Sequence, residues 1–124
     1  MRKGPVLLLL AGLLAACSDE APVSAPGTLS ATVVGPNGAE GAAVVLLLGD
    51  GIQSVSPLGP TEMYAGAGSS QTRVVLIHPA GGDLMFEVAV ADTTEPPAWV
   101  IEEVAGPDDA LRSDLAAYAV EFGR

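Results

Sequence analysis

The sequence predicts an all-β fold, a single antiparallel β-sandwich, on three observations. Turn-forming clusters recur along the chain: Gly35-Pro36-Asn37-Gly38, Gly49-Asp50-Gly51, Pro57-Leu58-Gly59-Pro60, Pro79-Ala80-Gly81-Gly82, Thr94-Glu95-Pro96-Pro97 and Gly106-Pro107-Asp108-Asp109. Asn-Gly, Asp-Gly and Gly-Gly supply the positive φ that tight turns need. Between the clusters lie short runs of β-branched and aliphatic residues, and one of them, 84–91, has a clean two-residue period. Short strands at this spacing read as a sandwich or barrel.

Before the sandwich, the chain opens with Met1-Arg2-Lys3-Gly4-Pro5 and then runs apolar from Val6 to Ala16. A membrane-spanning helix needs about 20 apolar residues, so this stretch is too short to span and has the flanks of a signal peptide. It ends Leu14-Ala15-Ala16-Cys17, which closely resembles the lipobox of bacterial lipoproteins. The resemblance implies diacylglycerol on the Cys17 sulfur, cleavage before Cys17 and acylation of the new amino group. Cys17 is the only cysteine in the chain, so no disulfide is expected. Two or more acyl chains anchor stably without spanning. By resemblance to the enterobacterial sorting pattern, Ser18 points to the outer membrane, on its periplasmic or surface face. The expected organisation is therefore a signal peptide over 1–16, a lipidated cysteine and flexible tether over 17–27, and a β-sandwich over 28–124. The tether carries Pro22 and Pro26 among small polar residues, which favour an open chain; ten residues reach at most about 36 Å.

Within the sandwich, Leu29, Ala31 and Val33 alternate with Ser30 and Thr32. Residues 44–48 (Val-Val-Leu-Leu-Leu) are expected to form a short buried strand. Val74, Leu76 and His78 alternate with Val75 and Ile77, so that run is apolar on both faces. Leu84, Phe86, Val88 and Val90 alternate with Met85, Glu87, Ala89 and Ala91, and the period sends the first set inward. Trp99, Ile101 and Glu103 oppose Val100 and Glu102. The C-terminal segment carries two patterns: Leu111, Leu115, Tyr118 and Phe122 are spaced for one helical face, while Tyr118, Val120 and Phe122 alternate as a strand. The expected structure is a helical turn after Asp108-Asp109 and then a closing strand from about Leu115.

The run from Gly41 to Val55, an apolar strand ending in Gly49-Asp50-Gly51 and followed by Ile52-Gln53-Ser54-Val55, resembles the early strands of cohesin-like β-sandwiches. Gly82-Asp83-Leu84-Met85-Phe86-Glu87-Val88-Ala89-Val90 is similar to the long strand of the same group. The layout also resembles small lipoproteins of high-GC bacteria. The expected sandwich is cohesin-like or immunoglobulin-like. Cohesins bind dockerins through a sheet face, and no partner-binding residue is carried over from them.

Composition narrows the chemistry. Without residues 1–16, the remaining 108 residues hold three arginines, no lysine and all 15 acidic residues, a formal charge of −12. Displacing counterions from phosphates needs cationic side chains, so nucleic-acid binding is not expected, nor is docking on anionic headgroups. The acidity itself is accounted for by solubility.

Catalytic constellations are sparse. His78 is the only histidine, and a catalytic histidine needs a nucleophile and an orienting acid. Ser69 and Ser70 follow Gly66-Ala67-Gly68, which is not a nucleophile elbow and reads as a mobile loop. Zinc needs several His or Cys ligands. Calcium takes oxygen ligands, and Asp50, Asp83, Asp92, Asp108 and Asp109 lie in or beside turns, but no calcium-binding loop pattern is present. Glu102 and Glu103 are adjacent and are expected to point to opposite faces. Aromatic platforms for sugars could draw only on Tyr64, Phe86, Trp99, Tyr118 and Phe122.

No catalytic residue, cofactor or metal ligand is therefore assigned, and Cys17 as lipidation site is the one site residue. The expected function is a membrane-anchored extracytoplasmic binding or scaffolding module, its partner a protein or glycan of the cell envelope. The alternatives are a structural envelope lipoprotein without a specific ligand and a small carboxylate-based hydrolase.

Overall fold

Eight strands follow one another in the computed structural model, which describes residues 23–124: β1 (Gly27–Val34), β2 (Glu40–Leu48), β3 (Ile52–Pro57), β4 (Glu62–Ala67), β5 (Gln71–Gly82), β6 (Leu84–Val90), β7 (Ala98–Ala105) and β8 (Ala119–Gly123). Cys17 and the expected signal segment lie outside the described residues. The strands form two antiparallel four-stranded sheets, sheet A in the order β3-β6-β1-β8 and sheet B in the order β4-β5-β2-β7. The inner faces pack together as a β-sandwich. β4–β5 is the only connection that stays within one sheet; every other link between successive strands crosses from sheet to sheet.

Alternation explains the inner face. Leu29, Ala31 and Val33 of β1 are buried, as are Ala43, Val45 and Leu47 of β2, Val74 and Leu76 of β5, and Leu84, Phe86, Val88 and Val90 of β6. Phe86 is fully buried and is the largest side chain at the centre. Trp99 and Phe122 are partly buried against this core. Tyr118 and Val120 are buried, so the alternation read in the C-terminal segment holds.

Six expectations are corrected. The predicted turn at Pro79–Gly82 is strand: β5 runs through it to Gly82, which pairs with Glu40. The pairing is irregular there: His78 to Gly81 stand opposite Gly41 alone, and Gly81, at φ 82°, helps the extra residues bow out while Gly82 rejoins the ladder. The expected helical turn after Asp108-Asp109 is absent. Gly106 N–H donates to Ala110 C=O, Asp109 N–H to Gly106 C=O and Arg112 N–H to Val104 C=O, a reversal that brings Leu111 beside Ala105. Asp109 takes φ 67°, which right-handed helix excludes and Asp tolerates. The closing strand accordingly starts at Ala119, later than expected.

The loop expected at Gly66–Ser70 is half strand, since Gly66 and Ala67 pair with Arg73 and Thr72. Their low β propensity is outweighed by β5, a strong strand alongside. Finally, a bulge opposite Val44/Val45 inserts one extra residue into β7, so Glu103 faces outward opposite Val44 while Glu102 pairs with Arg73 on the outer side. The two glutamates do not point to opposite faces.

β1, β3, β5 and β7 start at one end of the sandwich and β2, β4, β6 and β8 end there. The described part of the tether lies at this end and is tied down, not open: Ser24 Oγ donates to Asp92 at 2.6 Å and Thr93 N–H to Ala25 C=O at 2.9 Å.

Candidate functional site

Residues opposite one another in an antiparallel ladder share a face, so the pairing register builds the outer face of sheet B row by row. One row reads Glu62, Ile77, Ala42 and Ala105 across β4, β5, β2 and β7. The next reads Tyr64, Val75, Val44 and Glu103, and the third Gly66, Arg73, Leu46 and Val100. The inner rows between them carry Leu76, Ala43, Val104, Val74, Val45 and Ile101, which form the core. Apart from Arg73 on β5, the outer face is thus apolar along both central strands and open to water. Tyr64 is 62 % exposed, Val100 44 % and Leu111 68 %.

Leu111 reaches this face because the reversal after Gly106 lays it beside Ala105. With Ala42, Val44, Val75 and Glu103 it outlines a shallow depression of about 60 Å³. Charge sits at the rim. Glu62 stands at the start of β4 and Glu103 on the β7 edge. Arg73, the one cation on the face, bridges to Glu102 at 3.3 Å; since Arg73 is on β5 and Glu102 on β7, its side chain crosses β2. Exposed pairs of this kind add at most about 1 kcal/mol.

A cleft of about 280 Å³ opens at the tether end, between the β2–β3 turn and the β6–β7 loop, and brings Asp50, Asp92 and Glu95 to its lining beside Pro96 and Pro97. Asp92 is engaged by its neighbours: besides Ser24, it accepts from Thr94 Oγ at 2.6 Å and Thr94 N–H at 2.9 Å. These hydrogen bonds hold its carboxyl below the usual carboxylate range. A general acid in a hydrolytic carboxylate pair needs the opposite shift.

At the other end, Glu40 is buried at the start of β2. Arg112 donates to its Oε1 through Nε and Nη2, both at 3.0 Å, and the Tyr118 hydroxyl donates to its Oε2. Asn37 Nδ2 in turn donates to the Tyr118 hydroxyl at 2.8 Å. Burial, and then the bond to Glu40, push the Tyr118 phenol above its ordinary value; the bonds to Glu40 raise the Arg112 guanidinium. The Tyr118 ring lies so close to Gly35 that a Cβ there would meet it at 2.3 Å. The group clamps the irregular segment 106–118 to the β1–β2 end and has the character of a structural ion pair.

The residues singled out from the sequence are scattered. His78 is partly buried, with a buried Nδ1 that has no partner among the described residues, and its ring packs where a Cβ on Gly82 would lie. Asp83, Asp108 and Asp109 lie at the end opposite Asp50 and Asp92. Among the described residues, no three of His, Cys, Asp and Glu converge to hold a metal ion. Phe86 and Tyr118 are core, whereas Tyr64 stands on the apolar face. The face was half legible, in the β5 run apolar on both sides. The Glu40–Arg112–Tyr118 group, joined across separations of 72 and 78 residues, carried no local signal. The chain matches no family model, no curated protein and no solved structure.

Proposed function

We propose that this protein is a lipid-anchored extracytoplasmic module that binds a partner through the outer face of sheet B. One observation carries the reading: β2 and β5 keep Val44, Leu46, Val75 and Ile77 half-buried on a face left to water, an apolar patch of the kind that marks interaction surfaces. The acidic rim of Glu62 and Glu103 favours a partner with an apolar centre and cationic surroundings. The anchor rests on the Leu14–Cys17 motif and places the module at a bacterial membrane. The resemblance to cohesin-like sandwiches agrees with binding over catalysis.

The test is crosslinked capture in envelope membranes by the full-length protein and three variants. Val100→Glu, on the sheet B face, should lose the captured partner. Ser54→Glu, on sheet A, should keep it. Cys17→Ser should lose palmitate labelling and membrane association. Equal capture by Val100→Glu and the parent refutes the binding face, and palmitate label on Cys17→Ser refutes the anchor.

A further inference from the structure

Sheet edges expose unpaired N–H and C=O groups, and proteins normally block them with proline, charge, bulges or cover. Three of the four edges here are blocked. β3 ends in Pro57 and is irregular between Ile52 and Ser54. β7 carries the Glu102 bulge, with Leu111 bridged to Ala105 at one end. β8 is only five residues long and bears Glu121. β4 has none of these devices: it has no proline and no bulge, and its one charge, Glu62, is at its first residue.

The direction of its free groups follows from two hydrogen bonds. Gly68 N–H donates to Gln71 C=O at 2.7 Å, and Gly49 N–H donates to Ser70 C=O at 2.8 Å. Antiparallel backbone groups alternate between the two neighbours. Glu62, Tyr64 and Gly66 therefore spend theirs on β5, and Met63, Ala65 and Ala67 direct theirs out of the sheet.

We infer that two copies of this protein join edge to edge through β4, antiparallel about a two-fold axis at Ala65. Residues with outward groups must face one another, and only the register centred on Ala65 uses all three: Ala65 faces Ala65 of the second copy, and Met63 faces its Ala67. The same register sets Tyr64 opposite Gly66 of the second copy on the outer face. Gly66 has nothing within 4 Å of where a Cβ would stand, so the ring has an open seat, the arrangement in which an aromatic residue covers an edge glycine. The Arg73 backbone is next to Gly66 in its row, but its side chain is turned away across β2 to Glu102, so the seat over Gly66 is left clear for the ring. Strand, seat and ring are all supplied twice by one short segment, which is what an isologous contact requires. The pairing fuses the two B sheets into one and makes their apolar outer faces continuous.

Single cysteines in the full-length protein, oxidised with copper phenanthroline in isolated membranes and run on a non-reducing gel, read the register. Hydrogen-bonded antiparallel partners have Cα atoms about 5.5 Å apart, within disulfide reach, so Ala65→Cys should give a dimer band. In the same register the two thiols of Ala67→Cys are four residues out of step, about 14 Å apart, and should give no dimer above the parent. Ala65→Pro removes a donor that β5 does not use, so the fold should survive by circular dichroism while the sedimenting mass in detergent falls from dimer to monomer. An Ala65→Cys protein that dimerises no more than the parent, equal crosslinking at 65 and 67, or a parent of monomer mass each overturns the proposal.

Discussion

Sheet A turns Thr28, Ser30, Thr32, Ser54, Ser56, Glu87 and Glu121 to its outer face, where sheet B turns Val44, Leu46, Val75, Ile77 and Val100. The inner faces are alike in composition and bury one common core. Sheet A follows the usual pattern of an antiparallel sheet with one face solvated: β1 alternates apolar and polar, and β6 adds Met85 and Ala89 beside Glu87 to an otherwise polar outer face. Sheet B has central strands written as those of a sheet covered on both sides. Sheet A presents mostly polar side chains to water when the sandwich closes; sheet B presents a largely apolar face.

The largest blow to this comparison strikes the layer both sheets share. Phe86→Ala should cost about 3–5 kcal/mol, read as a lowered urea midpoint; a parent-like melt would mean that β6 is inside out and that the two outer faces have been exchanged. A smaller loss is expected at the end where the sheets are clamped, Glu40 on β2 of sheet B and Tyr118 leading into β8 of sheet A. Glu40→Ala removes the acceptor of both Arg112 and the Tyr118 hydroxyl and should lower the urea midpoint by less than Phe86→Ala does, because Arg112 keeps water. The pH dependence has a definite sign. The Tyr118 phenol is raised in the folded protein, so its contribution is whole below the ordinary phenol pKa of 10.0 and is lost as the pH climbs through the higher folded value. Alkaline melts of the parent should show that loss and Tyr118→Phe should not. The smallest effects sharpen the contrast. Glu87→Ala on sheet A and Val100→Thr on sheet B should each shift stability by less than about 0.5 kcal/mol, while partner capture falls for Val100→Thr alone.

Sequence periodicity reached as far as local order reaches. Residues 84–90 were readable because each side chain's face follows from its neighbours two places away, and the structure buries the predicted set. β4 was not readable, since Ala65, Gly66 and Ala67 become strand only because β5 lies alongside. The β7 bulge escaped for the same reason: a bulge is a relation between two strands, and β7 alone does not reveal it. The apolar outer face sat between these cases. The dual apolar character of 74–77 was visible, but nothing in the run said that its second side would be left open, and Leu111 and Tyr64 join the face only through pairing.

The crossing connections also bear on how the chain matures. β1 has both of its neighbours, β6 and β8, near the far end of the chain, and β2 lies between β5 and β7. A polypeptide delivered N-terminus first presents β1 and β2 before any partner arrives; β4–β5 and β2–β5 can pair once β5 is out, and β1 and β3 find a partner only with β6. Folding is thus paced by distant pairings, which close slowly. A chain truncated before Ala119 keeps β1 against β6 but leaves its other side an open edge, which β8 alone closes.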